Sequence, residues 1–269
     1  MKGQHSDHVP MLFVIDAGNT NIVGAAFDDG HLVETLRIRT VPGKTEDEYG
    51  VIVSAILKDK GLDPKSMNQV IVSSVVPALT SAVDKMASHV FGVRPVIVNA
   101  SLYPHLPVHV IAPDEIGSDL VADALAAWNM FQSPCLVVDF GTALTFTAVD
   151  RTATICGVAI APGLGTAAAS LASATAQLPS VPLEQPQSAL GKNTVQAIQA
   201  GVVLGYTGLV EYMVHAITDE LGGAKVVATG GLCRVVSGRT SVFDAIEPNL
   251  TLSGLALMAG YAPKAPGRP

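Results

Sequence analysis

The feature that most constrains this chain is an internal echo. The segments LFVIDAGNTNIVGAAFDDG, from Leu12, and CLVVDFGTALTFTAVDRT, from Cys135, follow one plan. Each reads as an apolar strand, an Asp-x-Gly turn, hydroxyl or amide residues, a second strand and an acidic turn. The two copies lie about one small domain apart, Asp16 to Asp139. Solenoids and propellers repeat on a much shorter period, so the spacing implies two similar halves facing one another. Strand-like runs are expected at 12–16, 22–27, 31–39, 69–75 and 95–98, and again at 135–139, 145–149, 154–161 and 225–228. Helical patterns intervene at 46–60, 77–90, 117–130, 165–176, 194–221 and 250–261. Strands mixed with helices of this length indicate an α/β chain whose sheets are covered on both sides. The boundary is expected near 112–118. That gives a loose N-terminal arm over 1–10, a first half over 11–115 and a second over 116–269.

Composition narrows the function classes. Apolar residues make up 49% of the chain and charged ones 14%, with a mean hydropathy of +0.41. So apolar a chain suits a homo-oligomer, because subunit interfaces hold more apolar groups than ordinary surface. The net charge is −7 and no Lys/Arg run occurs, so nucleic-acid binding lacks its electrostatic footprint. Cys135, Cys156 and Cys233 are odd in number and scattered, without metal-ligand spacing, which points to a reduced, cytoplasmic protein. Residues 1–10 have no apolar core of the kind a secretory signal needs. The charge-free stretch 157–178 contains Pro162, Gly163 and Gly165, which suit a loop feeding a packed helix better than a membrane span.

Chemistry concentrates in the repeated turns. Glycine after the aspartate lets the backbone approach a phosphate with no Cβ in the way. Successive backbone N–H groups, with Asn and Thr side chains, then aim donors at anionic oxygens. The leading aspartate is placed to hold a cation such as Mg²⁺. A plain glycine-turned hairpin would explain one copy; two in matching context argue for nucleotide phosphates. A third element, the strand ending in Thr229-Gly230-Gly231, leaves room for a flat ring over the backbone and fits an adenosine pocket, though Gly-Gly after a strand is also an ordinary turn. Gly191-Lys192-Asn193-Thr194 is not a Walker A loop, because Pro186 stands where its first glycine belongs and Asn193 follows the lysine. Thr194 is expected to cap the following helix or to contact substrate. Asp119, in Gly117-Ser118-Asp119-Leu120 at a helix start, is the candidate general base, with helix capping by Ser118 or Asp119 as the alternative.

These residues give the chain a close resemblance to the type III pantothenate kinases, which phosphorylate pantothenate with ATP in the first step of coenzyme A synthesis. The shared stretches, in family order, are DAGNTNIV at 16–23, KTEDEYG at 44–50, SSVVP at 73–77, DFGTALT at 139–145, APGL at 161–164, TAQLP at 175–179, GKNTVQAIQAG at 191–201, ATGGL at 228–232 and LTLSGL at 250–255. The resemblance implies an actin-like ATPase fold: two RNase H-like halves facing across a nucleotide cleft. It implies ATP contacts at Asp16, Ala17, Gly18, Asn19, Thr20, Asn21, Ile22 and Val23, and at Gly141, Thr142, Gly230 and Gly231. Asp16 would stand near Mg²⁺ and Asp139 would bind a monovalent cation, K⁺ or NH₄⁺. Gly117, Ser118, Asp119 and Thr194 would receive pantothenate, Asp119 as catalyst. A cytoplasmic homodimer with the pantothenate pocket completed across its interface is implied too. The family's catalytic segment usually reads Gly-x-Asp-Arg, whereas Leu120 stands here at the arginine that would pair with the pantothenate carboxylate. Val110 stands where many members carry a substrate-holding tyrosine. These departures leave open a weakened or non-catalytic nucleotide-binding paralogue, or a kinase for another small alcohol.

Overall fold

The computed structural model describes residues 11–262; the expected arm over 1–10 lies outside them. In chain order the elements are β1 (Leu12–Ala17), β2 (Asn21–Asp28), β3 (His31–Arg39), α1 (Glu46–Asp59), β4 (Gln69–Ser74), α2 (Pro77–Phe91), β5 (Val96–Ile97), β6 (His109–Val110) and α3 (Ser118–Phe131). There follow β7 (Cys135–Phe140), β8 (Ala143–Val149), β9 (Thr154–Pro162), α4 (Leu164–Ala174), α5 (Thr194–Glu220), β10 (Lys225–Thr229), α6 (Cys233–Ser237), β11 (Ala245–Ile246) and α7 (Leu250–Tyr261). Two compact units result. One holds the chain up to Leu106, Pro113–Ala122 and the stretch from Thr251; the other holds Pro107–Ala112 and Asp123–Leu250. The expected boundary at 115/116 thus falls inside a segment of the first unit, and α7 is counted there almost entirely.

The first unit is built on a five-stranded sheet of order β3-β2-β1-β4-β5. β1 pairs antiparallel with β2 and parallel with β4, which places Asp16 opposite Ser73. β1 is apolar on both faces, as a central strand covered on both sides must be. Phe13 and Ile15 join Tyr49, Val53 and Leu57 of α1 and Val83, Met86 and Phe91 of α2 in one core. The Phe13 and Phe91 ring centroids are 4.6 Å apart. Thr45 and Glu48 start α1 with a reciprocal capping box, each side chain bonding the other's backbone N–H. α7 is tied to β4 by Gln69, whose Nε2 donates to the Ala259 carbonyl at 2.9 Å. It comes so near the first turns of α3 that a Cβ on Gly254 would sit 2.0 Å from the Ala122 carbonyl oxygen.

The second unit has a six-stranded sheet of order β11-β10-β7-β8-β9-β6. Read from β9, its first five strands repeat the first sheet strand for strand: β7 takes the place of β1, β8 of β2, β9 of β3, β10 of β4 and β11 of β5. The directions repeat too, with β7–β8 antiparallel and β7–β10 parallel. Asp139 therefore lies opposite Thr229, as Asp16 lies opposite Ser73. The sequence echo is the visible part of a repeat that covers the whole sheet. Phe140, Leu144, Phe146 and Val226 pack with Val210 and Val214 of α5 in this unit's core. By length and composition α5 is apolar enough to cross a membrane, yet Val203, Val210 and Val214 are buried in the protein. In the charge-free stretch 157–178 the expected helix is α4, but what feeds it is the end of β9, running to Pro162, and not a loop.

Candidate active site

In the first unit the loop between β1 and β2 is a closed turn: the Gly18 N–H donates to the Asn21 carbonyl at 2.9 Å. Thr40 braces it from behind, its hydroxyl donating to the Gly18 carbonyl at 2.7 Å and its N–H to the Thr20 carbonyl at 3.0 Å. Asn19 and Thr20 are exposed at the tip, while Ala17 and Ile22 face the core. Ala17 and Ile22 can therefore meet a ligand only through their backbone. A Cβ on Gly18 would lie 3.3 Å from the Asn21 carbonyl oxygen, a tight fit in ordinary backbone geometry. Here glycine serves close approach, not a left-handed conformation. Asp16 is half-buried at the end of β1, and its Oδ1 accepts from the Ser73 hydroxyl at 3.0 Å.

Ser73 leads to the second group of residues in this unit. Its Oγ lies 2.9 Å from the Oγ of Ser118, the first residue of α3. The Ser118 hydroxyl thus contacts a strand serine instead of capping its own helix. Asp119 follows, its Oδ1 accepting the Leu120 N–H at 2.9 Å. Burial raises the proton affinity of this carboxyl, opposed by that N–H and its own. The nearby Tyr103 phenol is pushed up by burial and then by the negative charge of Asp119. Gly117 makes the room: a Cβ there would sit 2.3 Å from Asp119 Oδ1. A half-buried carboxylate with a raised pKa, at a helix start, can accept a proton from a substrate hydroxyl.

In the second unit Asp139 is the last residue but one of β7, with Gly141 and the exposed Thr142 in the turn after the strand. The Thr142 carbonyl is held by the Gly163 N–H at 3.1 Å and the Thr166 hydroxyl at 2.7 Å. Gly163 admits no side chain, since a Cβ would come within 2.3 Å of the Gly141 carbonyl oxygen. Gly230 adopts a left-handed conformation, φ 89°, and a Cβ on it would lie 2.3 Å from Asp139 Oδ1. The glycine therefore lets the backbone pass close against that carboxylate, in a cradle a Cβ would fill, and Gly231 next to it is exposed with open space around it.

Thr194 opens α5 and is exposed, but it does not cap the helix. Asn193 does, its Oδ1 accepting the Gln196 N–H at 2.9 Å. The capping expectation for Thr194 is thereby corrected: amide and hydroxyl are neighbours, and Asn is among the strongest cap formers. Sequence reasoning assigned no role to Ser73, Tyr103, Gly163 or Thr166. The one local hint was the Ser73-Ser74 pair that interrupts the apolar run Val70-Ile71-Val72. Among the described residues no group of three or more His, Cys, Asp or Glu side chains is placed to hold a metal.

The sequence profile of the type III pantothenate kinases matches residues 12–216. A type III pantothenate kinase of Treponema pallidum (strain Nichols) is 46% identical over 259 residues, 94% of either chain. Among solved structures, component A of the (R)-2-hydroxyglutaryl-CoA dehydratase of Acidaminococcus fermentans aligns with a TM-score of 0.52 at 13% identity, covering 94% of this chain and 97% of that one. A ROK family glucokinase of Streptomyces griseus, in complex with glucose and AMPPNP, aligns with a TM-score of 0.51 at 13% identity, covering 94% and 100%. At such identities these two speak for the fold alone, which is the actin-like ATPase and sugar-kinase fold that the sequence resemblance implied.

Proposed function

Since this chain belongs to the type III pantothenate kinase family, we propose that it transfers the γ-phosphoryl group of ATP to the terminal hydroxyl of pantothenate, the first step of coenzyme A synthesis. The observation that carries this reading is the 46% identity over nearly the full length of both chains. Asp119 is the general base that takes the hydroxyl proton, and burial, by raising its pKa, makes it a stronger base than an exposed carboxylate. Residues 16–23, with Gly141 and Thr142, offer backbone and side-chain donors to the phosphates. Gly230 and Gly231 give the adenosine room, and Gly117, Ser118 (through its backbone, its hydroxyl being turned to Ser73) and Thr194 receive pantothenate. Positioning and charge stabilisation supply most of the catalysis in such transfers.

The residues fit the cations the family implies. Mg²⁺ at phosphates needs only one or two carboxylates besides the nucleotide, and Asp16 supplies one at the end of β1. Asp139, with the cradle shaped by Gly230, is the residue that would hold K⁺ or NH₄⁺. When bound, these cations neutralise phosphate charge. A homodimer is supported by the apolar composition and by an exposed stripe on α5, formed by Gly201, Gly205, Gly208 and Tyr212. Cytoplasmic location is supported by free Cys135, Cys156 and Cys233, with burial pushing the Cys135 thiol up to about 12.

A coupled assay of ADP release in potassium buffer, with and without pantothenate, tests the reading. Pantothenate-dependent turnover is expected; nucleotide binding without product would sink it. Leu120 favours a second reading, an acceptor alcohol lacking a carboxylate, and running the assay on the amide of pantothenate separates the two. Under the first reading Leu120→Arg tightens pantothenate binding by about one to two powers of ten, the worth of a charge-assisted bond.

A further inference from the structure

Ser73 is wholly buried, at 0% exposure, near the end of β4, where it pairs with Asp16 of the central strand β1. Packing alone would favour another Val or Ile there, as at Val70, Ile71 and Val72 before it. A hydroxyl buried so fully is unfavourable unless it is hydrogen-bonded. Ser73 is bonded on two sides, to Asp16 Oδ1 at 3.0 Å and to Ser118 Oγ at 2.9 Å. The direction of these bonds is forced. Ser73 donates to Asp16 Oδ1 and has only one proton to give. Ser118, itself 7% exposed, must then donate to Ser73. The result is a one-way line: Ser118 donates to Ser73, and Ser73 donates to Asp16.

The second sheet repeats the placement. At the equivalent register, opposite Asp139, stands Thr229, another hydroxyl residue, 1% exposed. Twice, then, the strand beside the turn aspartate carries a buried hydroxyl where core packing would take an aliphatic side chain.

We propose that Ser73 is a positioning residue for phosphoryl transfer: its hydroxyl fixes the Asp16 carboxylate in one orientation and, through Ser118, ties it to the helix start that carries Asp119. The inference rests on the kinase reading above. It assigns Ser73 no contact with substrate. Its action is on where Asp16 and Asp119 stand, so its loss shows in turnover and in the Mg²⁺ response more than in pantothenate affinity.

The test compares Ser73→Ala, Ser73→Thr, Ser118→Ala and the Ser73→Ala/Ser118→Ala double variant. Steady-state kinetics are measured with pantothenate and AMPPNP binding by calorimetry with and without Mg²⁺, thermal unfolding checking that each variant folds. Ser73→Ala is expected to lower kcat by about 10- to 100-fold, the range for a hydrogen bond to a charged group, with KM for pantothenate changed less than about twofold. Mg²⁺ should strengthen AMPPNP binding to Ser73→Ala by about tenfold less than to the wild type, with Mg²⁺-free binding unchanged. Ser73→Thr keeps the hydroxyl and should recover most of kcat. Ser118→Ala should lower kcat while leaving the Mg²⁺ response intact, and the double variant should be no worse than Ser73→Ala, since the two act in one line. A folded Ser73→Ala with wild-type kcat and Mg²⁺ response overturns the proposal. So does a folded Ser73→Thr as impaired as Ser73→Ala, or strictly additive losses in the double variant. Should Ser73→Ala not fold, Ser118→Ala decides: an unchanged kcat overturns the proposal. A wild type that does not phosphorylate pantothenate would refute the kinase reading instead, and the Mg²⁺ response of Ser73→Ala would still decide this one.

Discussion

Asp119 shows how one residue is tuned by its neighbours. Burial raises its pKa against the pull of the Leu120 N–H. The native protein therefore holds this proton more tightly than the unfolded chain does. Asp119 favours the folded state at pH below the ordinary carboxylate range, and that contribution is lost as pH rises through its raised native value. Catalysis has the opposite sign, because a general base acts only when ionised. The acid limb of kcat/KM is expected to lie above the ordinary carboxylate pKa, as a pH–rate profile would read, and to vanish with Asp119→Asn. That variant should lose about 100-fold or more in kcat while keeping nucleotide affinity and holding or raising its melting temperature at pH above the native Asp119 pKa. Gly117→Ala separates geometry from chemistry. Its Cβ would collide with Asp119 Oδ1, the movable end of a side chain, and with no backbone atom at such range. The carboxylate must turn away, so kcat should fall at least several-fold while thermal unfolding shifts little. A variant with unchanged kcat would mean that the observed Asp119 orientation is not the working one.

Among the elements, the start of α5 sets a helix-capping residue next to the one proposed to contact pantothenate. Asn193 caps the helix, so Asn193→Ala should lower stability by about 1 kcal/mol, seen as a lower denaturation midpoint. Thr194→Ala leaves the cap intact; its effect should be a raised KM for pantothenate with stability kept. The reverse pattern would remove Thr194 from the substrate site. The long elements were legible in the sequence because apolar periodicity over six or more residues leaves few alternatives: β1, β2, α1, α2 and α5 lie where the pattern puts them. β6 and β11, two residues each, and α6, five residues, carry no period to read. The two turns were legible because Asp and Gly recur at one spacing, each pair followed within two residues by a threonine. Ser73 was not, since its partners Asp16 and Ser118 are 57 and 45 residues away and only strand register brings them near. A serine pair after Val-Ile-Val does not tell which carboxylate the first of them will meet.

At the scale of the whole molecule, the unexplained quantity is apolar surface. On α5, Gly201, Gly205, Gly208 and Tyr212 follow one another at steps of four, three and four, so they share one helix face. Tyr212 is 74% exposed, and a Cβ on any of the three glycines would meet nothing within 4 Å. Glycine in a helix interior costs roughly 1 kcal/mol relative to a good helix former, so three on one exposed face weaken the lone helix. A second copy of the chain would give them a use, because glycine lets another backbone approach closely. The two effects can be set against each other in one variant. Gly205→Leu should leave the separate subunit as stable as before or about 1 kcal/mol more so, because it gains helix propensity on an exposed face where a Cβ meets nothing within 4 Å. In a dimer packed through this face the same side chain blocks close approach. Sedimentation should therefore shift from dimer to monomer while the melting temperature, measured at a concentration where the wild type is also dissociated, holds or rises. If the pantothenate pocket is completed by the partner, kcat/KM falls with the dimer and recovers at high protein concentration. A Gly205→Leu protein that still sediments as the wild type does would clear this face of any part in assembly.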